Sequence, residues 1–174
     1  PIDALESERN LRSSGFIRKA EIRAIPKPGG RLDLAVRTQD SWTLQPQMSI
    51  GTEGGDRYFT WGIEENNLLG LGKSVSLFHG QFGPLIRNEA RYHDPRLGGT
   101  WQRLTGIYAR TDKGDEIGAL IDRPFFSLRS PYTMRLLWSR IIQEDILYDN
   151  GDEHSKFLQH FRSVQAWAGA RISG

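Results

Sequence analysis

Trp42-Thr43-Leu44-Gln45-Pro46-Gln47-Met48-Ser49-Ile50 decides the fold class. Trp42, Leu44, Pro46, Met48 and Ile50 fall on one side of an extended chain, and Thr43, Gln45, Gln47 and Ser49 on the other. Strict alternation is the period of a strand with one apolar and one polar face. Working outward, Phe59, Trp61 and Ile63 oppose Tyr58, Thr60 and Glu64, and Tyr132, Met134, Leu136, Trp138 and Ile142 share a face. Such runs recur about every 15–18 residues, broken by Gly, Pro, Asn and Asp. They predict eight strands, at 41–51, 57–66, 73–81, 85–93, 100–111, 116–123, 132–148 and 154–171. The last two are long against the roughly 5–6 residues usual in soluble domains. Arg103 and His160 interrupt the alternation of the fifth and eighth. The expectation for 41–174 is a mainly β, antiparallel up-and-down meander.

Residues 1–40 read differently. A helix is predicted at 3–14, with Asp3 as N-cap and Glu6 completing a capping box. Gly15 suits the position after the helix, and Phe16 can pack back on its last turn. Ile22 and Ala24, then Leu32, Leu34 and Val36, alternate with charged residues across the turn Pro26-Lys27-Pro28-Gly29-Gly30. So short a helix needs a sheet to lean on. Helix plus hairpin make a small α+β unit with the look of the last portion of a longer domain.

Composition narrows the function classes. The 174 residues are 37% hydrophobic and 25% charged, and no run approaches eighteen apolar residues, which excludes a transmembrane helix. Alternating barrel strands keep mean hydropathy low and are not excluded. The 19 Gly and 5 Trp suit strands, turns and interfacial aromatics. The net charge is +2. Residues 1–40 carry 8 basic and 6 acidic groups and the rest 15 of each, so no block marks nucleic acid as a partner. The absence of Cys removes disulfides and thiolate metal sites. The sequence opens at Pro1 rather than Met, as expected of a processed chain or an excised piece.

The connections alternate in chemistry. Glu53-Gly54-Gly55-Asp56, Asp112-Lys113-Gly114-Asp115-Glu116 and Asp149-Asn150-Gly151-Asp152-Glu153 are acidic; Asn66 to Gly72, Asp94 to Gly99 and Arg123 to Pro131 are not. Gln81-Phe82-Gly83-Pro84 belongs to the first series by position without its acidity. Every second turn of a meander lies at the same end, so the two ends would differ in charge, as suits a barrel between two compartments. Ordinary hairpin chemistry accounts for the same residues.

Four segments in order resemble the Omp85 (bacterial surface antigen) superfamily of outer-membrane barrels. Leu34-Ala35-Val36-Arg37-Thr38-Gln39-Asp40-Ser41-Trp42-Thr43-Leu44 is similar to the end of the last POTRA domain running into the first barrel strand. Gly62-Ile63-Glu64-Glu65-Asn66-Asn67-Leu68-Leu69-Gly70-Leu71-Gly72 resembles the family turn E-x-N-L-x-G-x-G, through Glu64, Asn66, Leu68, Gly70 and Gly72. Tyr92-His93-Asp94-Pro95-Arg96-Leu97 resembles its Y-x-D-P turn, through Asp94 and Pro95. Arg123-Pro124-Phe125-Phe126-Ser127-Leu128 resembles R-P-F-y-S-L, through Arg123, Pro124 and Phe125. These would be periplasmic turns. The resemblance implies residues 1–40 as the C-terminal part of a POTRA-like domain and 41–174 as the N-terminal half of a sixteen-stranded transmembrane barrel.

The implied location is the bacterial outer membrane, with the N-terminal part in the periplasm. The implied work is insertion of barrel proteins or translocation of polypeptide, without covalent chemistry, metal or cofactor. Implied partners are outer-membrane lipid, unfolded β-barrel or secreted polypeptide clients, and accessory assembly proteins. The family's R-G-Y element belongs to the other half of the barrel. Ala170-Arg171-Ile172-Ser173-Gly174 lacks the terminal aromatic residue of complete outer-membrane barrels. A half-barrel leaves two edges. The expectation is therefore an open sheet able to self-associate through them, and a closed eight-stranded barrel would refute it.

Pro46 stands out, because proline cannot donate to a ladder and belongs at an edge or in a weakly paired strand. The resemblance places it in one half of a lateral gate, where Thr43, Gln45, Pro46, Gln47 and Ser49 would form an edge that accepts a client strand by β-augmentation. A plain bulge in an ordinary strand is the alternative. Trp42, Phe59, Trp61, Trp101, Trp138 and Trp167 read as interfacial girdles of a barrel or as the core of a soluble sandwich.

Catalytic signatures are lacking. Asn67-Leu68-Leu69-Gly70-Leu71-Gly72-Lys73-Ser74 approaches a P-loop, but Asn67 replaces the first Gly and a strand follows instead of a helix. His79, His93, His154 and His160 show no ligand spacing. Glu64-Glu65, Asp115-Glu116 and Asp152-Glu153 suit solvated positions better than a glycosidase pair, and no G-x-S-x-G elbow occurs. The reading from another class is a soluble β-sandwich or jelly-roll module binding carbohydrate or protein.

Overall fold

The alternation seen in the sequence becomes a strand ladder in the computed structural model, which describes residues 2–127, 130–149 and 152–172. Helix α1 (Ile2–Arg12) precedes β1 (Ile17–Lys27) and β2 (Arg31–Asp40), which pair only with each other. Eight strands follow: β3 (Leu44–Glu53), β4 (Asp56–Glu65), β5 (Ser74–Phe82), β6 (Leu85–Asp94), β7 (Arg103–Thr111), β8 (Gly114–Arg123), β9 (Tyr132–Asp149) and β10 (Asp152–Ala170). They form one antiparallel sheet in chain order. The two-sheet sandwich weighed as the alternative is not the observed arrangement.

The N-terminal unit is covered on one strand only. The Arg12 guanidinium donates to the Ala20 carbonyl at 3.2 Å, and the Ile22 amide donates to the Glu8 carboxylate at 2.8 Å, so α1 is tied to β1. Every residue of β2 is exposed, Leu32, Leu34 and Val36 included. The helix starts at Ile2, one residue before the expected cap, and the Asp3 side chain lies outside the described residues. Gly15 takes φ 85°, and the Phe16 ring reaches Gly72 in the connection 66–73.

The sheet has two unlike ends. At one, Gly54-Gly55, Gly83-Pro84 and Asp112-Lys113 are two-residue connections; the fourth turn, 150–151, lies outside the described residues. At the other, the connections 66–73 and 95–102 each hold a short 3-10 turn, and 124–131 is the third. Residues 100–102, expected in a strand, belong to the 95–102 turn: the Thr100 hydroxyl donates to the Leu97 carbonyl at 2.7 Å. Ser41 to Thr43, also expected in a strand, precede β3.

Among the described residues no hydrophobic core exists in the ordinary sense. Among the described residues only Ala20 and Ala109 are buried hydrophobic side chains, while Met48 and Ile50 are 77% and 78% exposed. Carrying the register across the sheet separates two faces. One holds Gln47, Thr60, Ser76, Glu89, Arg91, Thr105, Glu116 and Asp122. The other holds Leu44, Met48, Phe59, Trp61, Leu77, Ile117, Leu136 and Trp138. Arg103 falls on the polar face beside Asp122, so its break in the pattern is a cross-strand ion pair. Trp138 and Trp61 share the apolar face. Trp167 lies opposite Arg135 on the polar face, and Trp101 sits in a turn. The girdle expectation therefore holds for neither Trp101 nor Trp167.

The apolar band crosses the hydrogen-bond rows obliquely. The row Pro46–Ile63–Leu77–Ala90–Tyr108–Ile117–Arg140–Arg162 begins apolar and ends in two guanidinium groups. The row Asp94–Leu104–Ile121–Leu136–Ala166 begins at a carboxylate and is apolar from β7 onward.

Candidate functional site: two open edges and the long-turn end

The hydrogen-bond parity of β3 defines what its open side offers. The Asn66 amide donates to the Thr43 carbonyl at 2.9 Å. These two are register partners, so the hydrogen-bonded pairs with β4 are Gln45–Glu64, Gln47–Gly62, Ser49–Thr60 and Gly51–Tyr58. The backbone groups of Leu44, Pro46, Met48, Ile50 and Thr52 then point away from β4, to the open edge. Pro46 removes nothing from the existing ladder. Its missing N–H is missing from the free edge, which offers amides only at Leu44, Met48, Ile50 and Thr52. Of the residues expected at a client edge, Gln45, Gln47 and Ser49 thus spend their backbone groups on β4, and Thr43 gives its carbonyl to Asn66. The Gln47 side-chain amide also donates to the Glu64 carboxylate at 2.7 Å on the polar face.

The far edge is complete. The Arg171 backbone amide donates to the Pro131 carbonyl at 2.9 Å, which sets the odd residues of β10 toward β9. Ala170, Ala168, Ala166, Val164 and Arg162 turn their amides and carbonyls outward without a proline. Among the described residues the two edges do not pair with each other. An even number of strands has two consequences. The edge strands run antiparallel, and their outward-bonding residues lie on the same, apolar face. Both conditions for an antiparallel seam between edges of this kind are met at once.

At the long-turn end, one turn is built twice. The Asn67 amide donates to the Glu65 carboxylate at 2.8 Å, and the Arg96 amide to Asp94 at 2.9 Å. The Leu68 amide then reaches the Lys73 carbonyl and the Leu97 amide the Gln102 carbonyl, both at 2.8 Å. Leu69 (φ 54°, ψ 24°) and Gly98 (φ 59°, ψ 27°) occupy the same left-handed position, so Leu69 carries a strain that Gly98 avoids. The Asn67 side chain accepts from Gly72 at 2.8 Å, and Asn66 lies against Gly15. Asp94 is 3% exposed and faces the Lys73 ammonium at 3.2 Å. That hydrogen bond, with a second to Tyr92, holds the Lys73 pKa above its ordinary 10.5.

The motif residues converge here, with partners the sequence did not single out. Arg96 lies 3.6 Å over the Trp101 ring, which stacks on Phe126 at 4.0 Å. Arg123 lies over Phe126 and over Tyr132 at 4.0 Å. Pro95, Pro124 and Phe125 line a cavity of about 930 Å³ between this end and α1, where Asn10 donates to the Phe126 carbonyl at 3.3 Å. The stack of Trp101 and Phe126 had no periodic signal, since both residues sit in turns. Among the described residues no group of three His, Asp or Glu side chains is placed to hold a metal ion.

A meander with one polar face, one apolar face, no core and two unpaired edges has the build of a length of β-barrel wall. Solved structures agree at the level of fold. The chain superposes on BamA from Haemophilus ducreyi lacking POTRA domains 1–3 with a TM-score of 0.62 over 95% of its length, at 13% sequence identity. It spans 37% of that chain. No family model and no curated protein matches the sequence.

Proposed function

We propose that this chain is the N-terminal half of an Omp85-type outer-membrane barrel, with α1, β1 and β2 as the last part of a POTRA-like domain in the periplasm. Its work is to insert barrel proteins into the outer membrane or to pass polypeptide across it. The observation that carries the reading is the sheet itself: an oblique apolar band, no core, and backbone groups left open along β3 and β10. Unpaired backbone in hydrocarbon costs several kcal/mol per group, so each edge demands a strand. At β3 the demand is weakened at Pro46, which makes that seam the one that can open and exchange partners. The partners are outer-membrane lipid around the band, extended client strands at the β3 edge, and accessory assembly proteins at the N-terminal unit. Where no other strand is supplied, the open edges pair with another copy.

The test is a photo-crosslinking residue at Met48, on the open edge, in protein reconstituted into lipid vesicles with an unfolded β-barrel client. Crosslinks from position 48 to the client are expected, with few from Thr60 on the polar face of β4. Integrated protein that assembles the client without crosslinks at 48 refutes strand templating.

A further inference from the structure

We propose that Arg140 and Arg162 form a binding site for the phosphate of an anionic lipid headgroup on the apolar face of the sheet. The two residues are direct register partners on β9 and β10. Even-numbered β9 residues bond to β8, since the Glu144 backbone amide donates to the Lys113 carbonyl at 2.7 Å. Arg140–Arg162 is therefore a non-hydrogen-bonded pair, the kind in which opposite side chains stand closest. Two like charges in that position repel unless an anion lies between them.

Nothing in the described protein supplies that anion. No described carboxylate lies within ion-pair distance of either guanidinium. The Arg140 Nε is buried and has no hydrogen-bond partner. The acids nearest along this face are already engaged: Asp115 accepts from the Tyr108 hydroxyl at 3.3 Å and lies 3.9 Å from Arg110, and Glu144 lies 3.6 Å from the Lys156 ammonium. A guanidinium fork matches phosphate geometry, and two forks can hold one phosphate.

Position selects a lipid as the source. Below the pair on the same face run Trp138, Leu136 and Met134 on β9 and Val164, Ala166 and Ala168 on β10. The cations thus stand where the apolar band gives way to a mixed face, Ile142, His160, Glu144 and Leu158 lying beyond them, with an aromatic ring and a strip of small side chains ready for an acyl chain. This rests on the barrel reading, because only a bilayer around the sheet presents headgroups at that level.

The test reconstitutes the protein in phosphatidylcholine vesicles containing a minor fraction of phosphatidylglycerol, with bromine on the acyl chains of one lipid at a time. Brominated phosphatidylcholine should quench the tryptophans of both wild type and the double variant Arg140→Gln/Arg162→Gln; no quenching of either means the barrel reading itself fails. Brominated phosphatidylglycerol should quench wild type about three- to tenfold beyond its mole fraction, the margin of charge-assisted bonds, and the double variant only in proportion to it. Insertion without that preference, or the same preference in the double variant, overturns the lipid site alone. Loss of the preference in inorganic phosphate but not in chloride of equal ionic strength assigns the pair to free phosphate and overturns the headgroup.

Discussion

Replacing Pro46 with Ala tests the edge argument at one atom. The new N–H points away from β4, because Pro46 and Ile63 are a non-hydrogen-bonded pair. The β3–β4 ladder therefore gains nothing. The unfolded chain gains freedom, which lowers folding stability by about 0.4–1 kcal/mol. A strand docked on the open edge gains one backbone hydrogen bond, about 0.5–1.5 kcal/mol net in water. That is about a 2- to 13-fold tighter association, and more where the seam lies in hydrocarbon. The two effects have opposite signs, so urea unfolding and crosslinking yield from Met48 should move in opposite directions. Amide exchange reads the geometry directly: the amide of position 46 should exchange freely in unassociated protein and become protected when a strand is docked. A protected amide in unassociated protein, with folding stability raised, would place that group against β4 and refute the parity argument.

Four further outcomes follow from the geometry. Gly62→Ala would set a Cβ 2.6 Å from the Leu77 carbonyl oxygen and on the Phe78 ring, and should cost about 1–3 kcal/mol in urea unfolding. The Asp122 carboxylate is nearly buried while Arg103 is 38% exposed, so Arg103→Ala should destabilise more than Asp122→Ala; that order and a partial recovery in the double variant are measurable by the same unfolding. Leu69→Gly should stabilise by about 0.5–1 kcal/mol, since Leu69 is 87% exposed and its left-handed backbone costs more than the added freedom of Gly. The Lys73 tie to Asp94 should be in full force at neutral pH and be lost as pH rises through the lysine's raised pKa, above 10.5; in Lys73→Gln the alkaline loss of stability in a pH-dependent melt should be smaller.

Much of the architecture could be read from local pattern. The eight expected strands coincide with β3 to β10 to within a few residues at each end. The reason is that side-chain alternation and turn chemistry are properties of neighbouring residues. Pro46 likewise announced an edge strand, since its defect is in its own backbone. The site was only half legible. The segments around Asn66, Asp94 and Arg123 were visible as motifs, but not that 65–70 and 94–99 are the same turn, because one copy hides its glycine position behind Leu69. Arg103 looked like a fault in a strand until Asp122 stood beside it. Trp167 looked like a girdle residue until its register with Arg135 put it on the polar face.

By itself, the chain's order of residues determined how many strands there are, where they turn, and that most have a more polar and a more apolar side. Only the tertiary structure decided that the first and last strands stay apart, which backbone groups each leaves open, and that Arg140 meets Arg162. The last two depend on register between separate segments, and a shift of one residue would reverse both while leaving the local pattern untouched.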